Sequence, residues 1–495
     1  MNALRNTYRT SLALLTDLYQ LTMAYGYWKL KRQSEQAVFH LFFRRTPFQG
    51  GYAIAAGLEP VIELLESMRF EADDIAYLAT LTGNDGKPLF EQGFLDHLRG
   101  WRFTCDVDAI PEGTVVFAQE PLLRVTGPIL QAQILETALL NIVNFQTLVA
   151  TKASRVCGAA MGEPVLEFGL RRAQGVDGAL AASRAAHIGG CASTSNVLAG
   201  KLFGIPVKGT HAHSWVMSFD EELEAFDAYA RAMPNNCVFL VDTYDTLEGV
   251  RRAVEVGKRL RQRGHEMVGI RLDSGDLAYL SIEARRILDA GGFPKAAVVA
   301  SNDLDENIIA SLKQQGAAIG VWGVGTKLVT AYDQAALGGV YKLGAIRETP
   351  DSPWRSRIKV SEQAIKTTTP GILQVRRFRE GDHFIADMIF DELTGAAVAG
   401  PAASAAIVDP KDTTRRKPIS ASAVGEDLLV PVFRAGKRVY EPPAIADIRS
   451  RTHQQLAMLH PSIRRLMNPH EYPVGLEPSL NATKLAMIAK ARGEK

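Results

Sequence analysis

Between about residue 160 and residue 325, short apolar runs that end in polar residues alternate with longer amphipathic stretches. An apolar run followed by a helical pattern is typical of a βα unit, whose strands pair in parallel. The two clearest units place strands at residues 238–242 and 267–273. The other predicted strands lie at residues 165–168, 205–210, 296–301 and 318–323.

This number of βα units decides the expected fold class. Six strands are too many for a small mononucleotide-binding unit, so we predict an α/β fold with an irregular TIM-like barrel in residues 151–345. A doubly wound sheet is the alternative. Residues 1–150 are expected to begin an α+β domain, to which residues 346–495 return before a helical tail. The small and polar residues 402–426 are expected to form a mobile surface excursion.

The composition excludes several classes of protein. The 495 residues are 46% hydrophobic and 22% charged, which is typical of a globular protein. Lys and Arg number 56 against 54 Asp and Glu, and a net charge of +2 gives no support to a nucleic-acid partner. We therefore expect small molecules rather than nucleic acid as ligands.

Targeting and cysteine patterns indicate a cytoplasmic protein. The apolar run after Arg9 is too short for a signal peptide, and no run is long enough to cross a membrane. The four cysteines are widely spaced without a C-x-x-C pair, which favours reduced thiols and argues against a zinc ribbon.

Polar residues close the predicted barrel strands one after another. Because catalytic groups of barrels gather at the carboxyl ends of strands, this repetition favours an active site, although turn chemistry alone could explain any single member. The set comprises Glu167, Phe168, Arg171, His211, His213, Asp242, Asp245, Arg271, Asp273, Ser274, Asp276, Ser301, Asn302, Asp303, Gly323, Gly325 and Thr326.

Two of these segments suit a phosphorylated sugar. Residues 271–276 supply an arginine, two aspartates and a glycine before a helix, although Asp276 could simply cap that helix. Residues 323–327 follow the pattern of a glycine-rich phosphate cradle, and also that of an ordinary turn.

His211 and His213 leave two kinds of chemistry open. In an extended segment both would face the same side and could bind one zinc ion in a barrel hydrolase. None of the other eight of the ten histidines closes a predicted barrel strand, which argues against a complete zinc site. Phe168 beside Arg171 suits a planar anion, although a phenylalanine is more often a core residue.

Several motifs, in one order along nearly the whole chain, resemble the nicotinate phosphoribosyltransferase family. They are residues 16–20 (TDLYQ), 168–175 (FGLRRAQG), 194–200 (TSNVLAG), 209–214 (GTHAHS), 242–246 (DTYDT) and 271–277 (RLDSGDL). The resemblance implies a type II phosphoribosyltransferase barrel flanked by a domain built from both termini, in a homodimer.

The resemblance also implies an activity. The family joins nicotinate to phosphoribosyl pyrophosphate, giving nicotinate mononucleotide and pyrophosphate, in the first step of NAD salvage from nicotinate. ATP is a co-substrate and is hydrolysed, so the enzyme is an ATP-coupled ligase that forms a C–N bond. Mg²⁺ is expected as a cofactor, with ligands that the sequence leaves unknown.

Roles for individual residues follow from the same resemblance. His213 matches the histidine that ATP phosphorylates, and Asp242 is expected to orient its ring. The pyridine ring is expected between Phe168 and Tyr19 of the partner subunit, with Asp17 nearby. The remaining expected contacts with substrates come from Arg171, Asn196, Thr210, Arg271, Asp273, Ser301, Asn302, Asp303, Gly323, Gly325 and Thr326.

The choice of pyridine substrate depends on one alignment. A nicotinamide-using relative has an aspartate where we align Asn196, so asparagine favours nicotinate. Nicotinamide and quinolinate transfer, an H-x-H metal hydrolase and a non-catalytic barrel are the alternatives. No zinc is expected, because the cysteine-ligated module of some relatives would need cysteines after Cys237.

Overall fold

The structure, a computed structural model, describes residues 11–394 and 406–493. The chain divides into two compact units. Unit 1 contains Met1–Thr147, Ala336–Ala444 and Gln454–Lys495, and unit 2 contains Leu148–Ala335 and Ile445–His453.

The helices vary from single turns to a 24-residue helix. In chain order they are α1 (Leu18–Lys29), α2 (Leu58–Ser67), α3 (Ala72–Leu78), α4 (Gln92–Arg99), α5 (Ile129–Ile134), α6 (Glu136–Ala159), α7 (Gly175–Ile188), α8 (Val197–Phe203), α9 (His213–Met217), α10 (Glu222–Ala232), α11 (Thr246–Gln262), α12 (Leu277–Ala290), α13 (Glu306–Gln314), α14 (Thr326–Val329), α15 (Ile445–Ala457) and α16 (Pro478–Arg492). Short 3₁₀ turns occupy Leu12–Leu14, Pro47–Gln49, Leu170–Arg172 and Ala364–Lys366.

The strands are short, and most belong to three sheets. They are β1 (Gln36–Phe43), β2 (Ala53–Ile54), β3 (Asp106–Ala109), β4 (Val115–Val116), β5 (Leu123–Pro128), β6 (Val165–Glu167), β7 (Ser193–Thr194), β8 (Val238–Leu240), β9 (Gly269–Leu272), β10 (Ala297–Ala300), β11 (Val321–Val324), β12 (Gly339–Arg347), β13 (Arg355–Ser356), β14 (Leu373–Glu380), β15 (His383–Asp391), β16 (Ala406–Val408), β17 (Arg416–Pro418), β18 (Val424–Asp427), β19 (Val430–Arg434), β20 (Lys437–Arg438) and β21 (Val474–Leu476).

Unit 1 is an α+β unit built from both ends of the chain. One sheet has the order β13-β12-β1-β5-β3-β19-β20, and a second has the order β17-β16-β21-β15-β14-β18. Strand β1 lies between β12 and β5, antiparallel to both, and all its residues but Gln36 are buried. Strand β19, from the C-terminal segment, pairs antiparallel with β3 in the first of these sheets.

Two local expectations in unit 1 were wrong. A helix expected over residues 55–68 begins only at Leu58, after β2, because the left-handed Gly57 sets its start. The expected excursion contains β16, β17 and β18 within residues 406–427, while residues 402–405 lie outside the described part of the chain. Every residue of β18 is exposed, so the apolar alternation that marks a strand is missing from its sequence.

Unit 2 confirms the alternation of parallel strands and helices. Its sheet has the order β7-β6-β11-β10-β9-β8, and all of these pairings are parallel. The predicted strand at 205–210 is reduced to a parallel bridge between Val207 and Thr194. Strand β7 was not predicted, because it is only two residues long.

The strand order follows the chain around a ring. The last strand, β11, pairs with the first, β6, as in a barrel, and the series continues through β7 to the bridge at Val207. This order favours the barrel over the doubly wound sheet. Closure between Val207 and β8 stays a prediction.

Part of the C-terminal segment belongs to unit 2, contrary to the boundary expected from sequence. Arg449 in α15 donates hydrogen bonds to the carbonyl of Gly190 at 2.9 and 3.2 Å, and this contact is internal to unit 2. Among the described residues, no helix combines the length and the apolar character needed to span a membrane.

Candidate active site

The carboxyl ends of the unit 2 strands meet at one edge of the sheet. Parallel pairing aligns Leu240 with Arg271, Leu272 with Ala300, and Val324 with Glu167. The polar residues that follow these strands therefore lie at the same edge, as predicted.

Asp273 connects three of the strand ends. One carboxylate oxygen accepts a hydrogen bond from the Ser301 hydroxyl, and the other lies 3.7 Å from Nε2 of His213. The Asp273 backbone N–H donates to Asp242 Oδ2 at 2.9 Å, and the Ser274 hydroxyl donates to the same oxygen at 2.5 Å. Within the described residues, Asp242 Oδ1 is buried and has no hydrogen-bond partner.

The ring of His213 has a threonine hydroxyl beside it. His213 is the first residue of α9, and its ring Nδ1 lies 3.1 Å from the hydroxyl oxygen of Thr243. Its side chain is 38% exposed, so a ligand can reach the ring. Asp242 Oδ2 accepts hydrogen bonds from Asp273 and Ser274, and the expected role of Asp242 in orienting the ring stays a prediction.

His211 has a structural role. It is buried, and its Nε2 accepts a hydrogen bond from the backbone N–H of Leu240 at 3.2 Å. Burial lowers the pKa of His211 to about 4, so the ring is neutral, with Nδ1 placed to donate to the Ala212 carbonyl. The ring of Tyr229 packs against it at a centroid distance of 4.8 Å.

The position of His211 also bears on the metal hypothesis. Its Nε2 accepts a hydrogen bond from the backbone of Leu240, the last residue of β8. Because its Nε2 already accepts that bond, His211 cannot use this atom for a zinc ion shared with His213. Within residues 11–394 and 406–493, no group of three or more His, Cys, Asp or Glu could hold a metal.

Two arginines supply positive charge at this edge. Arg271 donates to the His211 carbonyl at 3.1 Å, and its buried Nε has no partner among the described residues. Burial lowers the pKa of Arg271, and the nearby charge of Arg171 lowers it further, against the opposing effect of Asp273 and Asp242. Arg171 is exposed, so an anion can reach its guanidinium group, whereas Arg271 is only partly exposed.

The ring of Phe168 packs against Gly323 in strand β11. A Cβ atom at Gly323 would lie 2.8 Å from the Phe168 ring, and one at Gly325 would lie 3.0 Å from the Phe168 carbonyl oxygen. The Phe168 N–H donates to Val324 at 2.8 Å. Gly323 and Gly325 therefore serve first to let β11 approach Phe168, a role that the predicted phosphate cradle did not include.

Buried Glu167 holds the turn that carries Phe168. Its carboxylate accepts hydrogen bonds from the Gly169 N–H and from the hydroxyls of Ser183, at 2.8 Å, and Thr194, at 2.5 Å. Three bonds to one buried carboxylate fix the end of β6 relative to β7 and α7.

Asn196 caps a helix, and its expected role in the choice of substrate stays a prediction. Its side chain is buried, and its Oδ1 caps α8 by accepting from the Ala199 N–H at 3.2 Å. Its Nδ2 donates to Ser183 at 3.2 Å. Both ends of the amide are used inside the protein.

The other predicted residues of unit 2 line loops at the same edge. Asn302 and Asp303 are exposed and have left-handed φ values of 93° and 43°, a strained turn of the kind found at functional sites. The Thr210 hydroxyl donates to the His211 carbonyl at 3.1 Å. Thr326 begins α14, whose next residue, Lys327, forms an ion pair with Asp305 at 2.7 Å.

Asp17 and Tyr19 belong to unit 1. Asp17 has the residue type and position of a helix cap but does not cap α1, because its carboxylate accepts from the Thr137 hydroxyl at 2.8 Å. Tyr19 is 48% exposed on α1. Burial, followed by the charge of Glu136, raises the pKa of the Tyr19 hydroxyl.

Comparison with known proteins agrees with this geometry. Family models for the N-terminal domain, the family itself and the C-terminal domain of nicotinate phosphoribosyltransferase match residues 14–144, 164–350 and 374–484. A relative from Bacillus subtilis named nicotinate phosphoribosyltransferase is 45% identical over 490 residues, covering 97% of this chain and 96% of its own. The chain belongs to the nicotinate phosphoribosyltransferase family.

Other members of the nicotinate phosphoribosyltransferase family extend the match. The Homo sapiens member is 37% identical over 535 residues, covering 96% of each chain. The crystal structure of human nicotinic acid phosphoribosyltransferase superposes with a TM-score of 0.82 at 34% identity, covering 95% of this chain and 99% of that one. The family assignment, predicted from six short motifs, is thus confirmed over nearly the full length.

Proposed function

We propose that the protein transfers the phosphoribosyl group of phosphoribosyl pyrophosphate to nicotinate, with hydrolysis of ATP. The products are nicotinate mononucleotide, pyrophosphate, ADP and phosphate, and the reaction is the first step of NAD salvage from nicotinate. The observation that carries the proposal is the contact of Asp273 with both Ser301 and His213 at the strand ends, in a chain whose relatives are named for this activity.

The nicotinate site is proposed to lie beside Phe168. The pyridine ring stacks on the aromatic face, and the carboxylate is drawn to the exposed guanidinium group of Arg171. The Glu167 carboxylate, by holding the Gly169 turn, positions the ring for this contact.

The ribose and its leaving group are proposed to lie against the aspartates. Loss of pyrophosphate builds positive charge at C1 of the ribose, which carboxylates at fixed positions stabilise. Asp273 and Asp303 bind the ribose hydroxyls and Arg271 binds the leaving pyrophosphate. The 5′-phosphate and flanking hydroxyls are bound by Thr210, Ser301, Asn302, Gly323, Gly325 and Thr326.

The Mg²⁺ ion expected for a pyrophosphate substrate fits this edge. Asp242 Oδ1 is a buried carboxylate oxygen without a partner among the described residues, and Asp273 is its neighbour. Mg²⁺ commonly binds through one or two carboxylates plus substrate phosphates, so a larger protein ligand set is not required. The bound ion would neutralise charge on the pyrophosphate, and Asp242 and Asp273 would hold it.

ATP coupling is proposed to use His213 as the phosphate acceptor. Of the two histidines, only His213 has a ring nitrogen at the open edge, since His211 is buried and accepts a backbone hydrogen bond. A metal hydrolase that uses both histidines is disfavoured for the same reason.

The active form is proposed to be a homodimer whose sites are shared. Leu18, Tyr19 and Met23 of α1 are exposed apolar or aromatic side chains, as expected of a helix that meets a second copy. Tyr19 of the partner subunit, with Asp17 nearby, would then cover the second face of the pyridine ring.

The proposed substrate is tested by pyrophosphate release from phosphoribosyl pyrophosphate with each of nicotinate, nicotinamide and quinolinate, with and without ATP. We expect release with nicotinate, at a higher rate when ATP is present. Release with nicotinamide or quinolinate but not with nicotinate would contradict the assignment. A stoichiometric zinc ion lost on His211→Ala would support the hydrolase, and no affinity for phosphoribosyl pyrophosphate would support a non-catalytic barrel.

A further inference from the structure

Thr243 is the nearest polar neighbour that the structure gives to Nδ1 of His213. The hydroxyl oxygen lies 3.1 Å from Nδ1, within hydrogen-bond distance. On the other side of the ring, Asp273 lies 3.7 Å from Nε2, which is beyond a direct hydrogen bond. The Asp242 carboxylate oxygen Oδ2 already accepts bonds from Asp273 and Ser274.

Neutral imidazole carries one proton, and the partner of each nitrogen selects the tautomer. A hydroxyl can accept from Nδ1–H or donate to a bare Nδ1. Only the tautomer with the proton on Nδ1 leaves the Nε2 lone pair available at the open edge. Donation by the hydroxyl would instead occupy the Nδ1 lone pair and place the proton on Nε2, so that neither nitrogen could attack a phosphate.

We propose that Thr243 is the positioning residue of His213: its hydroxyl oxygen accepts the Nδ1 proton, which makes Nε2 the nucleophile that attacks ATP. This inference rests on the proposed ATP coupling. Thr243 follows Asp242 directly, three residues after the end of β8, at the edge where the other strand ends lie.

The step balances with these groups alone. The Nε2 lone pair forms a bond to the γ-phosphorus of ATP, and the bond from that phosphorus to the bridging oxygen breaks, with its electron pair leaving on ADP. The phosphorylated ring keeps its Nδ1 proton and gains positive charge, so the hydrogen bond to Thr243 strengthens as the bond forms. When water later attacks the phosphorus, the N–P electron pair returns to the ring and phosphate leaves.

The test compares three variants in single-turnover labelling by γ-phosphate-labelled ATP. Thr243→Val removes the hydroxyl at nearly constant shape, Thr243→Ser keeps it, and Thr246→Val is a matched control three residues away, at the start of α11. A hydrogen bond to a charged group contributes enough that we expect labelling by Thr243→Val at saturating ATP to be about 10- to 100-fold slower. The ATP concentration for half-maximal rate should change little, because Thr243 does not contact the nucleotide.

Hydroxyl rescue separates positioning from packing. We expect Thr243→Ser to label within about threefold of the wild-type rate and Thr246→Val to match the wild type. Labelling of Thr243→Val at the wild-type rate would overturn the inference. Absence of any phosphoenzyme in the wild type would instead refute the ATP coupling on which the inference rests.

A second measurement uses no variant at Thr243, so it does not depend on whether such a variant folds. In protein labelled with ¹⁵N-histidine, the ring nitrogens of His213, identified by comparison with His213→Gln, report the tautomer at alkaline pH. We expect the proton on Nδ1. A proton on Nε2 would show that Thr243 donates rather than accepts, and the inference would be wrong.

Discussion

The contact between Gly323 and Phe168 allows the nicotinate site to be perturbed by one methyl group. In Gly323→Ala the new Cβ would lie 2.8 Å from Cδ2 and 3.0 Å from Cε2 of the Phe168 ring. Carbon atoms in van der Waals contact are about 3.5 to 4.0 Å apart, so the ring must move by about 0.5 to 1 Å. Gly323 lies in β11 without a left-handed φ, so alanine fits its backbone.

The expected cost follows from that displacement. Overpacking by one methyl group typically costs about 1 to 3 kcal/mol, and movement of the ring relieves part of it at the expense of its position. If about 1 to 2 kcal/mol of this appears as lost stacking on the pyridine, the KM for nicotinate rises about 5- to 30-fold. The KM for phosphoribosyl pyrophosphate should change less, because the proposed phosphate contact uses the backbone N–H of Gly323, which alanine retains.

The assay is initial-rate kinetics with each substrate varied in turn. Gly320→Ala is the matched control, since Gly320 precedes the same strand and its Cβ would have nothing within 4 Å. We expect this control to match the wild type for both substrates. A well-folded Gly323→Ala enzyme with an unchanged KM for nicotinate would refute the placement of the pyridine on Phe168.

Three further predictions concern buried groups. His211→Ala leaves the Leu240 N–H unsatisfied and should lower the free energy of unfolding by about 1 to 3 kcal/mol, as measured by urea titration, while ATP still labels His213. Because the pKa of His211 falls from 6.5 to about 4 on folding, the stability that His211 contributes should be lost as the pH falls from 6.5 towards 4. Burial, followed by the charge of Asp387, raises the pKa of Glu120 well above 4.5, so the stability it contributes should be lost as the pH rises above 4.5, and Glu120→Gln should flatten that loss in urea midpoints measured across pH. Arg377→Met leaves the buried Asp387 carboxylate without its ion pair and should destabilise the fold by about 3 to 5 kcal/mol, whereas an unchanged urea midpoint would show that the pair contributes nothing.

The sequence was most informative where apolar periodicity and strand ends combine. The predicted strands at residues 165–168, 238–242, 267–273, 296–301 and 318–323 all appear, because buried parallel strands read as continuous apolar runs. The polar residues that follow these strands lie at one edge of the sheet, because the carboxyl ends of parallel strands meet there. The two-residue β7 and the exposed β18 were missed, since neither contains enough apolar residues to form a pattern.

Side-chain direction was harder to predict. The parallel strands bring Asp242, Thr243 and His213 to one edge of the sheet. Strand topology does not say whether the side chain of Asp242 or that of Thr243 reaches the imidazole ring of His213. Thr243 could have been considered, because it follows Asp242 directly at the end of β8, yet a threonine carries less chemical signal than an aspartate. Asn196 shows the same limit, because a motif match does not show that its side chain turns inward to cap α8.

His211 and His213, only two residues apart, show how little sequence spacing says about the direction of a side chain. Their spacing predicted a shared face, which holds only for an extended segment. Here His213 begins α9, and its ring faces Thr243 and Asp273, while the ring of His211 is buried against Tyr229. His211 accepts a hydrogen bond from the last residue of β8, whereas His213 is exposed and is the histidine proposed to react with ATP.

The most direct test of ATP coupling through His213 is to locate the phosphate transferred by γ-phosphate-labelled ATP. The enzyme is labelled, digested at alkaline pH to preserve phosphohistidine, and the labelled peptide is sequenced. We predict phosphate on His213, loss of label and of ATP stimulation in His213→Ala with residual transferase activity, and retention of label in His211→Ala. Label on His211, or ATP stimulation that survives in His213→Ala, would contradict the account.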